Sequence, residues 1–204
     1  IPKYESLNAI TSNLPVNATM IADGKLYAST LDISTGLSDL YIVDPESFEM
    51  TYAGGSNGVA YMDMAYAPSL GCGLGVYFSY IVMIDLSTGD YIGAFDWTEG
   101  IASDLVGITY YGSEFNESYN AWMDYFLILD ADGNVYLDAF LVNGTVQGYF
   151  KGPGEAFVKN IGNPVDYDYF QGFHFDGQYT YWTRFNEEDN IVELIVWDTE
   201  GTDN

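Results

Sequence analysis

Ile81-Val82-Met83-Ile84-Asp85-Leu86-Ser87-Thr88-Gly89 is the stretch that decides the fold. Four successive apolar residues leave no polar face, so the strand they form must be buried on both sides. Asp85 ends that strand and Gly89 follows within a tight turn. An Asp side chain bonds nearby backbone amides, and Gly accepts positive φ. The pattern recurs at Leu40-Tyr41-Ile42-Val43-Asp44, Phe126-Leu127-Ile128-Leu129-Asp130 and Leu194-Ile195-Val196-Trp197-Asp198.

Each run is preceded by an aromatic strand. These are Lys25–Ser29, Val76–Tyr80, Ala121–Asp124 and Tyr179–Trp182. Before each of those lies an opening segment: Met20–Gly24, Met62–Tyr66, Val106–Tyr110 and Gly172–Gly177. Counted from residues 20, 62, 106 and 171, the terminal Asp follows after 24, 23, 24 and 27 residues, which is the regularity of a structural repeat. After the turn, a fourth strand is expected in three units, at Phe48–Ala53, Asp90–Phe95 and Val135–Val142. Stretches with helical periodicity are nearly absent, and short Tyr-, Val-, Ile- and Phe-rich runs alternate with Gly, Asn and Asp.

Four short strands in about 42–44 residues make a unit the size of a propeller blade. The fold class expected is therefore all-β, a β-propeller of about four four-stranded blades. A single domain spans 1–204, with repeat units at about 16–54, 60–97, 104–142 and 171–204 and a long loop or insertion at 143–170. The fourth unit lacks its last strand, and Tyr4–Thr11 is the segment expected to pair with Val192–Asp198 and close the ring. The alternative is a fragment of a larger propeller. The chain opens on Ile1-Pro2 without Met, which reads as a processed or excised piece of a longer protein.

The run Ile81–Asp85 with Gly89 resembles the blades of quinoprotein-like and YVTN-type propeller repeats. With few Lys, no Cys pair and abundant Tyr, Gly and Asp, the chain as a whole is similar to propeller regions in large surface proteins of Gram-positive gut bacteria. The resemblance covers about residues 20–200. It implies adhesion, scaffolding or ligand binding, and it supplies no catalytic residues. The cofactor apparatus of quinoprotein enzymes is not evident in the sequence.

Composition narrows the partners. The chain carries 30 Asp and Glu against 5 Lys and Arg, a formal charge of −25 over 204 residues. Nucleic acid is excluded as a partner, since phosphate binding needs clustered Lys and Arg. Anionic membrane surfaces are disfavoured for the same reason. No apolar run is long enough to cross a bilayer, so membrane insertion is not expected. The acidic surface keeps the protein soluble. No basic residue lies between Lys25 and Lys151, so a trypsin-like protease finds almost no sites in the first half of the fold. Together these point to a secreted or cell-surface setting rich in proteases.

The chemistry-bearing residues are few. Asp130, Asp132, Asn134 and Asp138 are the candidate metal ligands: hard oxygens alternating around Gly133 suit calcium, and an ordinary hairpin turn explains the same residues. No other cofactor is implied. Glu187-Glu188-Asp189-Asn190 reads as a solvated turn. Cys72, the only cysteine, reads as a small buried residue in the Gly71-Cys72-Gly73 turn, and the only histidine, His174, as a structural strand residue. A nucleophilic pair of the two is therefore not expected. Trp97, Trp122, Trp182 and Trp197, with 19 tyrosines, fill the wedges between blades or offer faces to sugars. The function expected is a non-catalytic extracellular interaction module binding a glycan, peptide or protein. A protease-resistant structural spacer is the alternative, and a carbohydrate-active enzyme comes third.

Overall fold

The structure, a computed structural model, describes residues 16–32, 34–55, 59–96, 104–131, 135–140, 159–162, 171–186 and 191–199. Within them every regular element is a strand. The first sheet runs β1 (Val16–Ala22), β2 (Lys25–Asp32), β3 (Leu37–Val43), β4 (Met50–Gly55), and the second β5 (Asp63–Ala67), β6 (Cys72–Tyr77), β7 (Tyr80–Ile84), β8 (Tyr91–Asp96). The third holds β9 (Leu105–Asn116), β10 (Ala121–Asp130), β11 (Val135–Phe140), β12 (Lys159–Gly162), and the fourth β13 (Gln171–Phe175), β14 (Tyr179–Asn186), β15 (Ile191–Asp198). In every sheet sequence neighbours pair antiparallel, so each is a simple up-and-down meander.

The turns explain the meanders. Asp23 and Gly24 both have positive φ, 49° and 74°, as a two-residue hairpin between right-twisted strands requires. The decisive stretch closes as its sequence dictates. Asp85 Oδ1 accepts from the Ser87 amide at 2.8 Å, and the Gly89 amide donates to the Asp85 carbonyl at 2.7 Å. Asp44 does the same for the amides of Glu46 and Ser47, both at 2.8 Å. The Ser87 hydroxyl, donating to Asp85 Oδ1 at 2.6 Å, and then the Ser87 amide hold the Asp85 carboxyl below its ordinary pKa, as the Ser47 and Glu46 amides do for Asp44.

The sheets stack through three successive apolar cores. Met20, Ala22, Tyr27 and Leu40 of the first sheet pack on Tyr61, Met64, Val82 and Ile84 of the second. The other face of β7, Ile81 and Met83, packs with Leu74 on Ile108, Phe126 and Ile128 of the third. Leu127, Leu129 and Val135 then meet Phe173, Phe175 and Trp182 of the fourth. Each middle sheet is thus apolar on both faces, with the innermost strands β1, β5, β9 and β13 meeting in succession. Meanders of four strands, three among the described residues of the last, stacked face to face about their first strands are the blades of a β-propeller.

The third blade differs from its expected reading. Ala121–Asp124 and Phe126–Asp130 are not two strands but the single ten-residue β10, paired along its length with the twelve-residue β9. The segment expected as the fourth strand, beginning at Val135, is the third. The fourth strand of this sheet, β12, comes from within the span 143–170 expected to be a long loop or insertion. Asp124 invites the mistaken break, being a charged residue inside an apolar run. It is fully buried and accepts from the Ser69 amide at 2.9 Å, the Ser69 hydroxyl at 2.7 Å and the Ser113 hydroxyl. The aromatic strand of the second blade also begins earlier, at Cys72, and ends at Tyr77, because Phe78, with φ 50°, forms the turn within the stretch expected as strand. The closing segment Tyr4–Thr11 lies outside the described residues.

Candidate functional site

All four innermost strands line one cavity of about 560 Å³. Thr19 and Ile21 come from β1, Asp63 and Tyr66 from β5, Thr109 and Tyr110 from β9, and Phe173 and His174 from β13. A propeller places a cavity here because the innermost strands present their unpaired edges to the axis. That volume lies within the range of small-ligand sites.

Side chains of one blade serve the backbone edge of the next. Asp63 Oδ2 accepts from the Ile108 amide at 3.1 Å, and Oδ1 from the Met64 amide at 2.9 Å. The Phe173 amide also acts on this carboxyl, so Asp63 ties three blades together. Thr109 Oγ1 accepts from the Phe175 amide at 3.2 Å, joining the third blade to the fourth. Asn17 Nδ2 donates to the Tyr61 carbonyl at 3.0 Å, joining the first to the second. Burial dominates the Asp63 carboxyl and lifts its pKa to about 8 against the opposing pull of the three amides.

Two tyrosines in the cavity wall have their hydroxyls fixed by carboxylates. Tyr66 donates to Asp23, both oxygens lying at 3.1 Å, and Tyr181 donates to Asp176 Oδ2 at 2.6 Å. Burial, then the hydrogen bond to Asp23, raises the Tyr66 pKa, whereas Asp176 is lowered first by Tyr181. Ile21, 71% exposed, and Leu194, 62% exposed, add apolar surface from the first and fourth blades.

Asp130 is buried and accepts from the Tyr136 hydroxyl at 3.2 Å. Asp138 is buried opposite Phe126, four residues along β10 from Asp130, or about 13 Å at the usual strand rise. The structure does not bring those two to one point, and Asp132 and Asn134 lie outside the described residues. Among the described residues no three His, Cys, Asp or Glu side chains stand together as a metal site. Cys72 begins β6 rather than lying in the turn. It is buried, with its thiol pushed up to about 12, first by burial. His174 is exposed and lines the cavity, beyond the purely structural place expected of it. Trp182 is core and Trp122 is exposed against Phe115, ring centroids 6.0 Å apart, while Trp97 and Glu187–Asn190 lie outside the described residues.

The residue missed was Asp63. Its signal stands in the sequence as one acid between two methionines, Met62-Asp63-Met64, at the start of an innermost strand.

No known protein family matches the chain, and no curated protein does. Solved structures do. The chain is similar to the computationally designed protein Ika4, with 9% identity and a TM-score of 0.44 over 95% of this chain and 98% of that one. It is similar to a candidate 6-phosphogluconolactonase from Bacteroides uniformis, with 13% identity and a TM-score of 0.47 over 93% of this chain and 59% of that one. The propeller of Dos1 is matched at 12% identity and a TM-score of 0.39, over 91% of this chain and 45% of that one.

Proposed function

We propose that this propeller is a non-catalytic interaction module of a secreted or cell-surface protein, and that its ligand group enters the cavity between the innermost strands. The observation that carries the reading is the cavity itself, about 560 Å³ and lined from all four blades. Its two most buried polar side chains, Asp63 and Thr109, already accept hydrogen bonds from strand edges, which suits a structural role better than acid–base work. The buried Cys72 offers no accessible nucleophile. The ligand would belong to an extracellular glycan, peptide or protein, and the strongly acidic, lysine-poor chain fits a protease-rich setting on a Gram-positive type of cell surface.

Glycan and peptide arrays probed with the protein test this, with Leu194→Arg as control. Leu194 is exposed at the cavity, so the substitution should leave the fold intact. Saturable binding that Leu194→Arg abolishes is the expected result. Binding that the variant leaves unchanged would move the site elsewhere. No binding at all would favour the protease-resistant spacer.

A further inference from the structure

We infer that the group this cavity recognises is an organic ammonium ion, an inference that rests on the cavity being the binding site. The lining decides against other classes. An anionic ligand needs Lys or Arg, and none stands among the described lining residues. A sugar ring needs several polar groups in a mostly apolar wall, and the buried ones already serve backbone amides. What the wall does offer is aromatic residues: Tyr66, Tyr110 and Tyr181 from three different blades.

Tyr66 and Tyr181 are not ordinary walls. Each donates its hydroxyl to a carboxylate, Asp23 and Asp176 respectively, which fixes the ring and enriches its π-electrons. An ammonium group against such faces is attracted by the ring quadrupole, and more so where water is excluded. The two carboxylates bonded to the ring hydroxyls add their own field, and the chain's charge of −25 draws cations toward the cavity before contact. Apolar Ile21 and Leu194 suit the methyl or methylene groups that surround such a cation.

The test is calorimetric or NMR titration at fixed ionic strength with choline, with the dimethylbutanol that is its uncharged carbon isostere, and with Nα-acetyl-lysinamide. Choline should bind about tenfold more tightly than its isostere. The lysinamide arm tells a peptide ammonium from a free quaternary one. Tyr66→Leu and Tyr181→Leu should each weaken choline binding severalfold, and Tyr66→Phe should weaken it less, because the ring remains. Ile21→Lys, at an exposed position, should weaken choline and spare the isostere, so the proposal stays testable if a Leu variant fails to fold. An isostere that binds as well as choline would overturn the cation preference while leaving the cavity as the site. Absence of saturable binding by both ammonium ligands would overturn it too, and array binding lost in Leu194→Arg would still uphold the broader function.

Discussion

Asp63 of the second blade accepts a hydrogen bond from the Ile108 amide of the third at 3.1 Å. A side chain thus supplies what a sheet neighbour would supply if the innermost strand were not at an edge. Removing it leaves the amides of Met64 and Ile108 without their acceptor in a buried place. Asp63→Ala should therefore lower stability by about 1–3 kcal/mol per orphaned amide. Asp63→Asn, which keeps one oxygen, should fall between it and the parent. Urea unfolding measures both, and an unchanged midpoint for Asp63→Ala would show that these bonds are not holding the blades.

Stability should fall as pH rises from about 4 to about 8. The Asp63 carboxyl is raised from 3.8 to about 8 and Asp138 from 3.8 to about 7, both by burial. A carboxyl with a raised pKa holds its proton in the folded state where the unfolded chain has released it. Its stabilising share is complete below the unfolded value and is lost as pH rises through the folded one. Repulsion among the acidic groups acts in the same direction but is screened by salt, whereas the buried carboxyls are screened much less. Melting temperatures across this range at high ionic strength isolate the buried part. Asp138→Asn, whose amide oxygen can still accept from Ala139, should flatten the curve up to about pH 7. A melting temperature that rises over that range would contradict the assignment.

Gly54 lies against the turn that ends the decisive stretch: a Cβ there would stand 1.5 Å from the Thr88 carbonyl oxygen. Backbone cannot give way as a side chain does, so Gly54→Ala should separate the first blade from the second and lower stability by about 3 kcal/mol or more. Gly36 is the comparison. It has φ 70° with open space around the Cβ position, so Gly36→Ala should lower stability by only about 1 kcal/mol. Thermal or urea unfolding of the pair checks the order, and equal losses would mean that backbone conformation rather than blade contact governs Gly54.

What the sequence disclosed follows from where its information is local. The runs ending at Asp44 and Asp85 and the turns behind them are written in adjacent residues, so blade count and antiparallel order were legible. The long hairpin of β9 and β10 was not, because Asp124 reads as a strand break unless Ser69, in a different blade, is known to stand beside it. The position of β12 was hidden in the same way, since its pairing with β11 is set by contacts remote in the chain. The cavity was legible only as an expectation of the fold. Asp63 gave a sign, an acid in an apolar run, but its partners Ile108 and Phe173 come from two other blades.

Cys72 provides a probe of how the blades open. Its side chain lies in the core shared by the second and third blades, with Leu74, Leu105 and Phe126. Burial removes it from reagents, and the thiol, pushed up to about 12, forms almost no thiolate at neutral pH. Reaction with a disulfide reagent should therefore be slow in the native protein and should accelerate sharply once denaturant opens the core. When closing outpaces labelling, the rate follows the free energy of the opening that exposes the thiol. Gly54→Ala acts between the first and second blades, on the far side of the second blade from this core. If it speeds labelling as much as it lowers global stability, the blades open together. If labelling stays at the parent rate while global stability falls, the second and third blades form a unit that outlasts the first. Fast labelling of the parent protein in buffer alone would show that this core is not closed as described.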